Sequence, residues 1–288
     1  MSKRKAFWFS FLLSLAVIVP LYLAVFALGI TRAKPAEQKQ QGIPIAQPTV
    51  SDHKTVLVMT GSATAQTPDT YALVYFDALR SKISVVTFPK ETIVLTGGQA
   101  GTLAQAVEKA GPSQGVAALS ETLEISVDNY LFASPETLCR MTEGLGNASL
   151  ALGEYLTQEQ IGNLQLVVEG TQIQVLSPRL LTEILASGEV SQKVRYELRA
   201  AGYRAFLQAG SETLANVLPD AVRKNSTKLA TNITATEIFD YERIFDFLGK
   251  EPPQCSASTL PGKWTGETYE LDENSVAEAQ QIFGNKNG

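Results

Sequence analysis

Two apolar runs joined by a short polar turn constrain the fold of this chain more than any other feature. Residues 71–76 and 82–88 are almost entirely apolar, and residues 77–81 separate them. Short apolar runs bounded by turn residues are typical of β-strands, and a run without polar alternation is typical of a strand covered on both faces. The stretch therefore predicts a β-hairpin inside a sheet that is covered on both sides.

Strand and helix patterns alternate along the rest of the chain. Strands are predicted near residues 55–59, 127–132, 150–152, 164–168, 171–175, 228–231 and 264–271. Helices are predicted near residues 103–110, 116–123, 135–143, 178–186, 192–209, 211–218, 234–248 and 275–283. This alternation indicates one α/β domain with helices on both faces of a central sheet.

Residues 6–28 form an apolar segment without a charged side chain. About 23 helical residues, at ~1.5 Å rise each, span the hydrocarbon core of a bilayer. Lys3, Arg4 and Lys5 precede the segment, and such a charge distribution keeps an N-terminus in the cytoplasm. A cleaved signal peptide is the alternative, but its apolar region normally has about 7–15 residues. We therefore expect a single-pass protein of the cell membrane, with its main domain outside the cytoplasm.

The chain divides into five predicted regions. Residues 1–5 are the cytoplasmic tail and residues 6–28 the transmembrane helix. Residues 29–54 contain three prolines and a run of glutamines without an apolar period, which indicates an extended linker. Residues 55–250 form the α/β domain, and residues 251–288 form a C-terminal extension.

The residue inventory excludes several kinds of site. His53 is the only histidine and lies in the predicted linker, which excludes Ser-His-Asp and Cys-His catalysis. The net charge is −5, and no dense basic cluster follows the N-terminal tail, so nucleic-acid binding is not expected. No zinc-ligand spacing, P-loop or dinucleotide fingerprint is present. Cys139 and Cys255 lie far apart, so two free thiols are favoured over a disulfide.

Charged residues flank the predicted hairpin at one edge. Asp69 comes just before the first strand, and Lys90 and Glu91 follow the second. A carboxylate beside cations can bind Mg²⁺ or a phosphate group, and the predicted helix at residues 192–209 adds several arginines. A solvated ion pair and a turn-capping aspartate are the alternative interpretations of these residues.

A glycine-rich segment is a second candidate anion site. Gly97, Gly98 and Gly101 precede a predicted helix, where backbone amides can bind an anion. The alternative is a flexible loop without a ligand.

An ordered series of short motifs resembles the LytR-CpsA-Psr family. That family has Gly-x-Asp after its first strand, Arg-x-Asp-Thr before its second and Pro-Arg-Asp after its third. The matching segments here are Gly61-Ser62-Ala63, Thr67-Pro68-Asp69-Thr70 and Pro89-Lys90-Glu91. Weaker similarity follows at residues 119–146, Arg204-Ala205-Phe206-Leu207 and residues 231–234, so the resemblance covers about residues 55–248.

The resemblance implies a fold and a set of ligands. The fold would be a three-layer α/β/α sandwich with a central mixed sheet. Such proteins hold a polyprenyl (pyro)phosphate lipid with arginines and Mg²⁺ with aspartates, and they transfer the lipid-linked glycopolymer to peptidoglycan. For this chain, the resemblance implies that Asp69, Lys90 and Glu91 are catalytic and that Arg199 and Arg204 bind the ligand. It also implies that Asp69 binds Mg²⁺.

The chain departs from the family pattern at several charged positions. Ala63 replaces the aspartate after the first glycine, Thr67 replaces the arginine of the second motif, and Ala205 replaces a glutamine. Lys90 keeps the charge of an arginine without its bidentate fork, and Glu91 keeps a carboxylate on a longer arm. We therefore expect a diverged protein with weak or no transferase activity. The alternatives are an active glycopolymer phosphotransferase and a non-catalytic structural module of the envelope.

Overall fold

The computed structural model describes residues 47–62, 67–166 and 173–284. The predicted cytoplasmic tail, the predicted transmembrane helix at residues 6–28 and most of the predicted linker lie outside these ranges. Within them, no helix combines the length and the apolar character needed to cross a bilayer. The compact unit begins at Gln47, several residues before the predicted start of the domain.

The described residues form twelve strands and nine α-helices. The strands are β1 (His53–Thr60), β2 (Thr70–Asp77), β3 (Lys82–Phe88), β4 (Ile93–Thr96), β5 (Gln99–Thr102), β6 (Asn129–Ala133), β7 (Ala148–Ala151), β8 (Ile173–Leu176), β9 (Ala230–Thr231), β10 (Gln254–Thr259), β11 (Gly262–Thr265) and β12 (Thr268–Leu271). The helices are α1 (Leu103–Ala110), α2 (Pro112–Leu123), α3 (Pro135–Thr142), α4 (Gln158–Asn163), α5 (Pro178–Ala186), α6 (Gln192–Ala209), α7 (Leu214–Asn225), α8 (Ala235–Lys250) and α9 (Ser275–Phe283).

A mixed sheet forms the centre of the fold. In the described chain its strands follow the order β10-β3-β2-β1-β6-β9. The pairs β1–β6 and β3–β10 are parallel, and the other three pairs are antiparallel. The predicted hairpin is confirmed, because β2 and β3 pair from Tyr71 opposite Phe88 to Asp77 opposite Lys82.

Helices cover both faces of this sheet, which explains why β2 and β3 are apolar at nearly every position. Val74 and Phe76 point toward the layer that contains α3, α5, α6, α7 and α8. Tyr71 and Leu73 point toward the layer that contains α1, α2 and α9. Each fully buried aliphatic or aromatic side chain contributes about 1.5–3 kcal/mol through its removal from water. The predicted α/β class with a mixed central sheet is confirmed.

The central sheet extends into the predicted C-terminal extension. Residues 254–259, where the sequence pattern predicted a loop, form β10 and pair in parallel with β3. Cys255 and Ala257 pack against the core beneath α6, while Ser256 Oγ lies 2.9 Å from Ser84 Oγ. The compact unit therefore continues through this region, and β10 forms an edge of the sheet.

Residues 164–166, the described part of the strand predicted at residues 164–168, do not form a strand. The hydroxyl of Thr157 and the side chain of Gln160 form a capping box that starts α4, and residues 164–166 lie in the turn that follows. Residues 167–172 lie outside the described ranges. β8 instead pairs antiparallel with β7, from Ala148 opposite Leu176 to Ala151 opposite Ile173.

Candidate functional site

A cavity of about 690 Å³ lies between the central sheet and the helices on one of its faces. We call it the main cavity. Its walls are largely apolar side chains from the sheet and from five of the helices, among them Val56, Val74, Met141, Leu181, Phe206, Val222 and Phe245. Ligand cavities typically combine such apolar walls with a few polar groups that fix the orientation of the ligand.

Three of the predicted site residues line the main cavity at one edge of the sheet. Asp69 precedes β2, and Lys90 and Glu91 follow β3. Because β2 and β3 are antiparallel, the start of β2 and the end of β3 meet at the same edge. Lys90 Nζ lies 4.0 Å from Asp69 Oδ1, and both side chains are substantially exposed, at 45% and 64%. We call this edge the polar end of the main cavity.

Arg199 on α6 is a further predicted residue that lines the main cavity. Only 7% of the residue is exposed, and burial lowers the pKa of its guanidinium. Its Cζ lies 5.8 Å from the centroid of the Tyr196 ring, and it interacts electrostatically with Asp69. The buried Nη1 of Arg199 has no hydrogen-bond partner among the described residues. Such a donor is energetically unsatisfied until an acceptor reaches it.

Arg195 and Tyr196 also line the main cavity, and sequence reasoning did not select them. Arg195 Nη2 donates hydrogen bonds to the carbonyl oxygens of Ser187 at 3.1 Å and Val190 at 2.9 Å. Tyr196 Oη donates to Glu91 Oε2 at 3.5 Å. Both residues lie about one turn before Arg199, so helical spacing relative to that arginine was the available signal.

Arg204 does not line the main cavity. It lies five residues after Arg199, a rotation of roughly 140° around a helix with 3.6 residues per turn. Its Nε is buried without a hydrogen-bond partner in the described chain, and the guanidinium interacts electrostatically with Tyr155 and Cys255. The structure therefore brings Asp69, Lys90, Glu91 and Arg199 together and leaves Arg204 apart.

The carboxylates at the polar end do not fit a magnesium ion held by the protein alone. Magnesium requires oxygen ligands in octahedral geometry, and protein sites usually supply one or two carboxylates. Here the ammonium group of Lys90 lies beside Asp69, where a second ligand would be needed. The described residues contain no cluster of three or more acidic, histidine or cysteine side chains suited to a metal.

The glycine-rich segment already holds an anion from this chain. The amides of Gly97 and Gly98 donate to the two carboxylate oxygens of Glu121, at 2.9 and 2.8 Å. Both glycines have positive φ angles, of 57° and 76°, in the turn between β4 and β5. The carboxylate of Glu121 therefore occupies the position that was predicted for an external anion.

Cys139 and Cys255 are free thiols, as favoured from the sequence. Cys139 on α3 lines the main cavity, whereas Cys255 on β10 does not. Burial raises the pKa of both thiols, and that of Cys255 reaches about 11. Both side chains are consequently protonated at neutral pH and are weak nucleophiles.

Comparison with solved structures identifies the fold. The chain superposes on a proposed transcription regulator from Eubacterium siraeum with a TM-score of 0.70 and 17% identity, covering 83% of this chain and 94% of that one. TagT bound to LIIa-WTA gives a TM-score of 0.63 at 15% identity, covering 81% and 92%. TagV from B. subtilis gives 0.59 at 14% identity, covering 80% and 95%.

The whole-sequence searches give no match to set beside the structural ones. No protein-family profile and no curated protein sequence matches the chain. TagT and TagV are wall teichoic acid transferases of the LytR-CpsA-Psr family, and the superpositions extend over most of the length of those proteins. The chain therefore has the LytR-CpsA-Psr fold.

Proposed function

We propose that this protein is a LytR-CpsA-Psr-like component of cell-envelope assembly that binds a polyprenyl (pyro)phosphate-linked glycopolymer and has weak or no transferase activity. The observation that carries the proposal is the main cavity, which joins a charged polar end to a largely apolar interior. A lipid phosphate has the same division between a charged group and an apolar chain.

The apolar walls suit the polyprenyl chain. They come from both the sheet and the covering helices, so a chain inserted there would be surrounded by aliphatic and aromatic side chains. Each methylene buried in such a site contributes about 0.8 kcal/mol. A tail of many isoprene carbons would therefore supply most of the affinity, and the polar end would select the phosphate.

The polar end suits the phosphate because its buried cation lacks a hydrogen-bond partner. Arg199 Nη1 is buried and unsatisfied, so a phosphate oxygen would supply the missing acceptor. Lys90 adds a second positive charge near the exposed side of the same end. Hydrogen bonds between charged partners are roughly twice as strong as neutral ones.

Weak turnover follows from the small number of cations at this end. Thr67 replaces one motif arginine, Lys90 replaces another, and Arg204 lies away from the main cavity. Removal of one preorganised donor from a transition-state site typically costs about 2.7–4 kcal/mol. Loss of two such donors would lower the rate by several orders of magnitude, so the site favours binding over transfer.

An active phosphotransferase is the second candidate. It is favoured by the carboxylates of Asp69 and Glu91, which lie beside the cations and are the chain's candidates for a general base. A lipid-linked glycopolymer, a peptidoglycan acceptor and a labelled product would separate the two candidates. Transfer at a rate comparable with that of TagT would favour the active enzyme.

The proposed location is the outer face of the cell membrane. Residues 6–28 would anchor the chain with its N-terminus in the cytoplasm, and the described domain would face the wall. The structure of TagT with LIIa-WTA supports a glycopolymer ligand for a protein of this fold. Peptidoglycan is the proposed acceptor or neighbouring partner.

A lipid-binding comparison tests the proposed function. The full-length protein in nanodiscs is titrated with a fluorescent polyprenyl phosphate and with the matching polyprenol. We expect at least a tenfold preference for the phosphate. Arg199→Ala and Lys90→Ala should reduce this preference, and Arg204→Ala should retain it because Arg204 lies outside the main cavity. Equal binding of phosphate and alcohol by the parent would refute the proposal.

A further inference from the structure

A second, smaller cavity adjoins the polar end of the main cavity, and we propose that it binds one sugar ring of a glycan. We call it the hairpin pocket, because the β11–β12 hairpin forms one wall and the end of β3 and the first turns of α6 form the others. The inference rests on the proposed function, since the glycan would be the sugar portion of the lipid-linked polymer. The residues that carry it are Lys193, Tyr196, Glu197, Trp264 and Tyr269.

The size of the hairpin pocket suits a single ring. Its volume is about 170 Å³, the space of about five or six water molecules in the liquid. This is below the ~300–1,000 Å³ typical of sites for drug-sized ligands. One saccharide unit is a compact ligand of the size that such a pocket holds.

The composition of the hairpin pocket suits the two kinds of surface on a sugar. A pyranose ring has apolar C–H faces and a rim of hydroxyl groups. The aromatic rings of Trp264 and Tyr269 offer flat apolar surface, while Glu197 can accept and Lys193 can donate hydrogen bonds to hydroxyls. Neither of these two charged side chains forms a salt bridge with another described residue. Both therefore remain available to a ligand.

The aromatic wall is held in place by the rest of the fold. The amide of Tyr269 donates to the carbonyl oxygen of Glu91 at 3.0 Å, and its hydroxyl donates to the carbonyl oxygen of Leu260 at 2.9 Å. The rings of Trp264 and Tyr269 have centroids 5.4 Å apart and planes inclined by 60°. Trp264 nevertheless remains 39% exposed, which leaves part of the indole accessible to a ligand.

Tyr196 connects the two cavities. It lines both of them, and its hydroxyl donates to Glu91 at the polar end of the main cavity. A phosphate bound by Arg199 and Lys90 would therefore have its attached sugar beside Tyr196. Because Tyr196 also lines the hairpin pocket, the sugar portion can continue into that pocket.

Fluorescence of Trp264 gives a direct measurement of this binding. The chain has two tryptophans, Trp8 and Trp264, so the full-length Trp8→Phe protein reports on Trp264 alone. This protein in nanodiscs is titrated with a polyprenyl pyrophosphate that carries an N-acetylated disaccharide, with the sugar-free lipid, and with a soluble peptidoglycan-type oligosaccharide. We expect the sugar-bearing lipid to shift Trp264 emission and to bind about 3- to 10-fold more tightly than the sugar-free lipid.

Variants separate the hairpin pocket from the main cavity. Measured with fluorescent lipids, Trp264→Ala and Glu197→Gln should abolish the preference for the sugar-bearing lipid and leave sugar-free lipid binding unchanged. Trp264→Phe should keep part of the preference because an aromatic face remains. Phe239→Ala is the matched control, since Phe239 is 64% exposed and lines neither cavity.

The possible outcomes distinguish this inference from the proposed function. If the sugar-free lipid binds but both sugar ligands leave Trp264 emission unchanged, sugar binding in the hairpin pocket is refuted and lipid binding in the main cavity stands. If only the soluble oligosaccharide binds and Trp264→Ala abolishes that binding, the hairpin pocket is supported and the lipid site is refuted. An unchanged preference in both Trp264→Ala and Glu197→Gln overturns the inference.

Discussion

The guanidinium of Arg199 lies over the ring of Tyr196, with Arg199 Cζ 5.8 Å from the ring centroid. The contact places a buried positive charge at the polar end of the main cavity without a salt-bridge partner in the described chain. A cation–π contact contributes about 0.5–2 kcal/mol, which offsets only part of the loss of hydration. We therefore expect Arg199 to lower the stability of the ligand-free protein, as is common for residues kept for function.

Arg199→Met should make the ligand-free protein more stable and less able to bind a lipid phosphate. Methionine fills similar space without a charge, so the free energy of unfolding should rise by about 1–3 kcal/mol. Urea denaturation measures the stability, and the nanodisc titration measures the affinity. Arg140→Met is the control, because the Arg140 side chain is 44% exposed and its removal should change stability by less than about 0.5 kcal/mol. A lower free energy of unfolding in Arg199→Met than in the parent would contradict the expectation that Arg199 destabilises the ligand-free protein.

The two thiols provide a test of where the lipid tail lies. Cys139 lines the main cavity and Cys255 does not, although both are partly buried. A polyprenyl phosphate at about ten times its Kd should slow alkylation of Cys139 roughly tenfold. Alkylation of Cys255 should be unaffected, and mass spectrometry of the two peptides measures both rates. Equal protection of both thiols would indicate a general stabilisation of the fold instead of occupancy of the main cavity.

The central strands were predictable from sequence because their residues are apolar on both faces. The bounds of β3 match the prediction. The helix predicted near residues 135–143 forms as α3, and Ser134 caps it by accepting a hydrogen bond from the amide of Thr137 at 3.1 Å. β10 was missed because its residues are mostly small and polar. It is an edge strand, and it is held by backbone pairing with β3 and by contact with α6.

The polar end was predictable in part, because it lies where two of these apolar strands begin and end. Asp69, Lys90 and Glu91 are fixed by the ends of strands whose positions the sequence shows. Arg199 and Arg204 could not be separated, because the arginines of α6 occur at mixed angles and the packed face of that helix is set by tertiary contacts. The hairpin pocket depends on residues far apart in sequence, such as Lys193 and Trp264, and no local pattern joins them.

Asp52 should make the stability of the domain depend on acidic pH. Its carboxyl group is 4% exposed, and burial alone acts to raise its pKa. Hydrogen bonds from Thr49, together with Arg243 Nε at 2.9 Å, outweigh burial and hold the pKa below its ordinary value. A lowered folded-state pKa stabilises the fold above the unfolded-state pKa of about 3.9, and this stabilisation is lost as the pH falls through the folded-state value.

Asp52→Asn is therefore expected to lower the free energy of unfolding at pH 7 by about 1–3 kcal/mol. The difference from the parent should start to shrink below about pH 4, because the Asp52 carboxyl group of the unfolded parent then binds a proton before that of the folded protein does. Urea denaturation at pH 7, 5 and 3.5 measures the difference. A constant difference across these pH values would mean that the carboxylate charge of Asp52 contributes nothing to the free energy of unfolding.

We expect the ammonium group of Lys90, and not a metal ion, to neutralise the carboxylates at the polar end of the main cavity. Its ammonium group lies 4.0 Å from Asp69 Oδ1, and Glu91 is adjacent in sequence. The affinity of the parent for polyprenyl phosphate should therefore be the same in EDTA and in millimolar Mg²⁺. Lys90→Gln removes the positive charge beside Asp69, so the affinity should fall about tenfold in EDTA, the equivalent of about 1.4 kcal/mol, and Mg²⁺ should restore part of it.

Lys90→Arg is the matched variant for this test. It keeps the charge and adds a bidentate fork for phosphate, so it should bind at least as tightly as the parent and remain insensitive to Mg²⁺. None of these variants should alter the free energy of unfolding by more than about 0.5 kcal/mol, because an exposed ion pair contributes little. Loss of lipid binding by the parent in EDTA would show that a metal ion, and not Lys90, supplies the charge at this site.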